Sequence, residues 1–364
     1  MINLLSNSKL GAYFALWELY LHNPQGVPFD DNLQSQFHSQ DSDFGAFHGK
    51  RIHFWVPHPT AGAKFILWDV IPSLIELVKS RGLDTEISIS SSLPANDCDL
   101  ILSFKEPIPD TVKGCRRTLI ICDEVDRLWP FLSEFDSAVC TSSLELAALI
   151  QKEIRSVFFI PEIEPEQLLA FGRETLEIEN DSGPSSNSIL WHGGKYTLNE
   201  LTYFRDFFEL LREQIGFERL EIVCGDGSLP QALSNLDWIR AHSWSRDALS
   251  DISRKCRLCL LPARRSLKNS YLKPASRVRC SFALALPAVG DIRVPEVRRF
   301  SDAIGLSAVN FGKKHQAVSL IKRLWDDPNA LQRVRSHGFS YVQQNHSLEM
   351  AVMRWIRVLS MLLA

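Results

Sequence analysis

The feature that most constrains this chain is a series of short, continuous apolar runs. Each is followed by a glycine or polar turn and then by helical apolar spacing. Ile189-Leu190-Trp191-His192-Gly193-Gly194-Lys195 opens the clearest unit. An apolar run with no polar alternation belongs to a strand buried on both faces, as in a parallel sheet covered by helices. Between 189 and 304 the spacing predicts strands at 189–191, 220–224, 239–242, 258–261 and 287–289. Helices are expected at 198–213, 230–236, 246–255 and 271–284. Cys224-Gly225-Asp226-Gly227 supplies a second glycine turn. Strand, glycine turn and helix in repetition is the rhythm of a parallel sheet that binds a phosphorylated ligand.

The same grammar governs the first half. A strand at 52–56, a Pro-rich turn at 57–63 and a helix at 65–81 closed by Gly82 precede strands at 86–90, 99–104, 118–122, 137–140 and 157–160. Residues 171–188 are acidic and then small and polar, which reads as a linker. The resulting division is an N-terminal extension (1–50), a first α/β domain (51–172), a linker (173–188), a second α/β domain (189–345) and a terminal helix (346–364). In the extension, 10–21 is apolar and aromatic enough for a helix. With no basic face beside the apolar one, packing on the domain is favoured over contact with a membrane surface. Residues 23–50 read as an irregular loop.

At 364 residues the chain has room for two cores, and a net charge of -3 gives no reason to expect nucleic acid as a partner. No apolar stretch approaches a membrane span, and no leader pattern is visible. The eight cysteines lie mostly inside apolar runs, as at Cys122, Cys140, Cys224 and Cys259. That placement suits reduced, buried thiols better than a disulfide framework. Cys256 and Cys259 have half the spacing of a zinc site without a second pair nearby, so no metal is expected.

Residues 189–304 resemble the donor-binding domain of GT-B glycosyltransferases. The likeness rests on the order His192-Gly193-Gly194, Cys224-Gly225-Asp226-Gly227, His242-Ser243-Trp244-Ser245, then Lys273-Pro274-Ala275-Ser276-Arg277, Phe282 to Asp291 and Pro295-Glu296-Val297. The group it resembles carries Lys-x-x-Asn-Lys/Arg before an "ALGLP" run. The first half matches in its βα grammar and at residues 138–143. The resemblance implies an α/β fold of two Rossmann-like domains facing a cleft, with the last helix crossing back to the first domain. It also implies a nucleotide-sugar donor, a sugar, glycan or lipid-linked acceptor, and no metal or other cofactor. The setting it implies is cytoplasmic, with peripheral contact to the inner face of a membrane as an option. Two departures stand out. Ser276 replaces the motif's Asn, and by alignment Cys280 and Leu272 stand where many retaining members carry glutamates.

The residues suggest roles. A diphosphate leaving group gains charge as the glycosidic bond breaks, and main-chain N–H groups beside a fixed cation stabilise it. Gly193, Gly194 and Lys195 offer that combination, although such turns also merely cap strands. Lys273 and Arg277 are expected one helical turn apart on one helix, with Ser276 between them. With Arg264, Arg265 and Lys268 they form a basic mouth at the end of the strand 258–261, or a solvated charged loop. His242 and Trp244 stand where the family binds the nucleobase; Trp244 could stack on it or be buried. Glu296 either accepts hydrogen bonds from sugar hydroxyls or supports the following helix. On the acceptor side His58 could take the hydroxyl proton, or serve only in its turn. Asp123, Glu124 and Asp126 could act as base or as its orienting partner, and Lys105 and Glu106 follow another strand. Two further functions stay open: a catalytically silent relative that binds a sugar or a protein, and a nucleotide-sugar epimerase.

Overall fold

A computed structural model describes residues 9–23, 41–58, 67–94, 97–123, 125–182, 187–263 and 271–364. The chain forms two compact units. The first comprises Met1–Ile163, Tyr271–Lys273 and His346–Ala364; the second comprises Glu164–Ser270 and Pro274–Asn345.

The first unit is built on strands β1 (Arg51–Trp55), β2 (Glu86–Ser90), β3 (Leu100–Phe104), β4 (Arg116–Ile121), β5 (Ser137–Cys140) and β6 (Ser156–Phe159). They run parallel in the order β2-β1-β3-β4-β5-β6. Every residue of β3 and β5 is buried, which explains why these runs show no polar alternation. Helix Val70–Ser80 presents Val70, Ile71, Leu74 and Val78 to the core at helical spacing. Helix Leu348–Leu363 packs on the same sheet, with Trp355 edge-on to Phe54 at 5.5 Å. Ser347 caps that helix by accepting from the Met350 N–H. The Lys9–His22 helix buries Ala12, Leu16 and Leu19 and leaves Trp17 and Leu21 exposed.

The second unit carries β7 (Ser188–Gly193), β8 (Arg219–Cys224), β9 (Ile239–His242), β10 (Cys256–Leu261) and β11 (Ala288–Gly290). These strands are parallel in the order β11-β10-β7-β8-β9. Helix Arg205–Ile215 turns Phe207, Phe208 and Leu211 inward and ends at Gly216 in the left-handed region, φ 65°.

Two expectations are corrected. Residues 173–182, read as linker, belong to helix Glu166–Ser182, because Leu168 and Leu169 supply a buried face that outweighs the polar composition. The helix expected over 271–284 is Ser276–Ala283. Pro274 has no N–H to offer a helix and disfavours the helical conformation at Lys273, so Lys273 and Arg277 do not share one helix. The expected turn at 57–63 and the start of the first helix fall partly outside the described residues, as do Glu124, Arg264, Arg265 and Lys268. Among the described residues no helix is long and apolar enough to cross a membrane.

Helix Ser276–Ala283 is approached by two other helices through glycines. A Cβ at Gly172 would overlap the Ala283 carbonyl, and one at Gly338 would overlap the Phe282 ring. Overpacking of this kind costs about 1–3 kcal/mol. Gly338→Ala should therefore lower the urea midpoint of the second unit, whereas Gly194→Ala, where a Cβ meets open space, should leave it unchanged.

Candidate functional site

In each sheet one pair of neighbouring strands marks the point where the winding reverses: β1 and β3 in the first, β7 and β10 in the second. Outside the carboxyl ends of such a pair lies the crevice in which open parallel sheets bind ligands. The residues following these four strands are therefore the first to consider.

At the second switch point the structure brings Gly193 and Arg277 together. A Cβ on Gly193 would lie 2.6 Å from Thr197 Oγ1, 2.9 Å from the Trp191 ring and 3.2 Å from Arg277 Nη1, so a side chain here would have to displace these neighbours. Arg277 donates to Glu200 Oε2 at 3.0 Å and to the His192 carbonyl at 3.4 Å, and its guanidinium lies 5.7 Å from the Trp191 ring centre. Beneath it, the Ser281 hydroxyl donates to the Arg277 carbonyl at 3.1 Å and accepts from His192 Nε2 at 3.0 Å. His192 therefore carries its proton on Nε2. Burial, then the nearby Arg277 charge, pushes the His192 pKa down to about 3, so the ring is neutral at ordinary pH.

The loops after β7, β8 and β9 meet beside this group. Lys195 Nζ lies 3.7 Å from Asp226 Oδ2, both side chains well exposed, and the Lys195 stem covers Gly225. Hydrogen bonding from Ser228, then the Lys195 charge, holds the Asp226 carboxyl below its usual range. Gly227, at φ 79°, has Ser243 against it, and the Trp244 N–H donates to the Gly225 carbonyl at 2.9 Å. Trp244 is 46% exposed, so its ring is available on this surface. His242 instead donates from Nε2 to the buried Glu221 on β8 at 2.6 Å, which ties that nitrogen to the sheet.

The remaining donor-side candidates sit apart in their described contacts. Ser276 is the first residue of its helix and half-buried. Glu296 lies in the first turn of helix Pro295–Ala303 and pairs with Arg299 at 2.7 Å. Lys273 falls with the first unit. Asp291, fully buried after β11, accepts from the Ala263 N–H at 3.3 Å and from Arg293, which in turn donates to the Ala263 carbonyl. That knot fixes the end of β10.

At the first switch point a charged group follows β1, β3 and β4. His58 is 77% exposed with Nε2 4.0 Å from Glu106 Oε1, and Arg127 Nη1 holds the same oxygen at 3.1 Å. Lys105 pairs with Asp123. Burial pulls the Lys105 pKa down, but Cys122 and Asp123 beside it more than offset this and raise it overall. Lys105 also adopts φ 59°, an uncommon conformation for a residue with a Cβ, with Arg127 donating to its carbonyl. Glu106, named from the sequence only as a residue following a strand, thus gives His58 an acidic neighbour.

No protein-family model matches the sequence, and no curated protein matches it. Solved structures do match in fold. Sucrose-phosphate synthase from Thermosynechococcus elongatus aligns over 86% of this chain and 99% of its own at TM-score 0.58 and 11% identity. Anabaena HepE, solved with UDP and glucose, aligns over 86% and 100% at TM-score 0.58 and 10% identity. WaaG, a glycosyltransferase involved in lipopolysaccharide biosynthesis, aligns over 82% and 97% at TM-score 0.53 and 12% identity. The fold is that of the GT-B glycosyltransferases.

Within this GT-B chain the pairings that sequence reasoning missed are Glu200 with Arg277, Glu221 with His242, and Glu106 with His58. Each joins residues on, or just after, different strands or helices, so spacing along the chain carries no signal for them. Position gives a partial one, since Glu106 directly follows a strand end.

The neutral His192 yields a pH prediction. The unfolded chain takes a proton on this histidine near pH 6.5, while the folded chain resists it until about pH 3. Stability contributed by the site is thus complete above pH 6.5 and falls as pH drops towards 3, by roughly 5 kcal/mol at most. In urea titrations between pH 7 and pH 4, His192→Gln should show a flatter decline than the parent.

Proposed function

We propose that the chain moves a sugar from a nucleotide-sugar donor to a hydroxyl acceptor. The observation that carries this reading is the convergence of Gly193, Lys195, Arg277 and Trp244 at the carboxyl edge of the second sheet of a GT-B fold. The main-chain N–H groups after Gly193 and the loosely paired Lys195 supply positive potential for a diphosphate. Trp244 offers an exposed face to a nucleobase, and Ser276 and Glu296 are the further donor-side candidates of the same unit. A hexose donor of the uridine class is the first choice to test, because HepE was solved with UDP and glucose.

For the first unit we assign His58 as base. In an inverting displacement the acceptor oxygen attacks the anomeric carbon as the bond to the diphosphate breaks, and the hydroxyl proton passes to His58 Nε2. Glu106 then faces the imidazolium that forms, while Asp123 keeps Lys105 in place. Acceptors of sugar, glycan or lipid-linked type fit this chemistry, with a surface polysaccharide or glycolipid as product. The same reading sets the reaction in the cytoplasm, needs no metal, and leaves room for peripheral contact with the membrane's inner face.

One observation favours a second reading. Arg277 already has a counter-ion in Glu200, and Ser276 and Cys280 depart from the motif, as they would in a silent relative that binds without transfer.

Thermal unfolding with UDP, GDP, ADP and CMP separates the two. One nucleotide should raise the melting temperature, since about 2.7 kcal/mol accrues at a hundredfold excess over Kd. Lys195→Ala should remove that shift. No shift with any nucleotide would place the silent reading first. With a donor identified, His58→Ala should reduce kcat by about 10²–10⁴-fold with little change in donor KM; an unchanged kcat would remove His58 as base.

A further inference from the structure

Glu200 lies on helix Leu198–Tyr203, between Leu198 and Leu201, and is buried with both. An apolar side chain would suit that place, since a carboxylate is kept at such depth only against a partner. The partner is Arg277, whose Nη2 donates to Glu200 Oε2 at 3.0 Å. Its Nη1 donates to the His192 carbonyl at 3.4 Å and stands 3.2 Å from where a Gly193 Cβ would sit. On the donor reading, a phosphate held by the main-chain N–H groups after Gly193 therefore lies beside one nitrogen of the guanidinium while Glu200 holds the other. The His192 ring next to them is neutral, so Arg277 and Glu200 set the charge that this phosphate meets.

We propose that Glu200 favours release of the nucleoside diphosphate product by opposing the charge that appears when the sugar leaves. This rests on the donor reading of the site and names how that site lets go. In the nucleotide sugar the diphosphate is esterified at both ends and carries about two negative charges. When the bond from the anomeric carbon breaks, its electron pair stays on the terminal phosphate oxygen. The sugar bonds to the acceptor oxygen, and the hydroxyl proton passes to His58. The nucleoside diphosphate left behind carries about three charges at neutral pH, because its terminal phosphate is now free to ionise twice. An unpaired arginine would hold this product more tightly than the donor on charge alone. With Glu200 seated on the guanidinium the pair is close to neutral, so the added charge gains little there. Stabilisation of the transition state then falls to Lys195 and the main-chain N–H groups. Product release limits turnover in many enzymes, which gives a carboxylate at this buried position a use.

The test is titration calorimetry on the whole protein with the nucleoside diphosphate selected by the thermal panel, UDP first, and with its glucose ester. Glu200→Gln keeps an acceptor for Arg277 Nη2 and removes only the charge. It should tighten UDP by about tenfold and UDP-glucose by a smaller factor. Glu200→Met removes the acceptor as well and should still tighten UDP, whereas a merely structural role for Glu200 predicts weaker binding once Arg277 loses its seat. Melting of the unliganded variants checks that both fold. If the parent binds UDP and Lys195→Ala does not, an unchanged or weaker UDP affinity in Glu200→Gln would overturn the proposal and leave the donor reading standing. Equal tightening of UDP and UDP-glucose would overturn it as well, since release would then gain nothing from Glu200. Binding of none of the nucleotides by parent or variants would remove the donor reading, and this inference with it.

Discussion

The guanidinium of Arg277 ties together the edge of the second sheet. It binds the carboxyl end of β7 through the His192 carbonyl and the helix after the glycine turn through Glu200, and Ser281 and His192 hold its own main chain from below. A half-exposed ion pair in water is worth little, but here Glu200 is 9% exposed and Arg277 23%. At that depth, removing one partner strands the other's charge. The pair therefore fixes geometry first. Its electrostatic consequence is that Arg277 brings less net charge to a bound diphosphate than a free arginine would. In the proposed donor site the main-chain N–H groups and Lys195, whose partner sits at 3.7 Å in solvent, take the larger share.

The first switch point follows a different economy. Lys105 and Arg127 each face an acid, Asp123 and Glu106, so the described charges nearly cancel. His58 stands beside these pairs with Glu106 as its acidic neighbour. A balanced setting of this kind suits a neutral hydroxyl acceptor, since neither an anion nor a cation is strongly favoured. The positive φ of Lys105 fits the same picture. Turning the chain sharply after β3 lets Lys105 and Glu106 both serve this edge, a conformation kept in place by hydrogen bonds from Arg127 and Ser103.

Much of the fold was legible because parallel strands buried on both faces write themselves as unbroken apolar runs. Ile189 to Trp191, Leu100 to Leu102 and Ala138 to Cys140 are examples. The terminal helix was legible for the related reason that its apolar positions recur at helical spacing. Where composition and packing disagreed, composition misled. Residues 173–182 look like linker by residue type, yet they continue a helix, Glu166–Ser182, that Leu168, Leu169 and the close approach at Gly172 pack in place. A single proline decided where helix Ser276–Ala283 begins. The side-chain pairings were illegible altogether, because which strand lies beside which is set by crossover topology rather than by distance along the chain.

Cys280 shows how a departure from a family pattern is accommodated. The resemblance places a glutamate there to hold the donor ribose. In this chain burial, then the Glu164 carboxylate, pushes the Cys280 thiol well above its usual range. Glu164 itself pairs with Arg279 at 3.5 Å, with both side chains buried. A carboxylate at position 280 would meet Glu164 as a like charge in a poorly solvated place, where repulsion is strong. The thiol and the Arg279–Glu164 pair thus belong together as one local solution, and reversing the substitution alone would not restore a ribose ligand. On the proposed reading that role passes to another carboxylate of the same unit. Glu296 is the natural candidate: it sits in the first turn of its helix, where the helix dipole favours a negative charge, and Arg299 holds it in place.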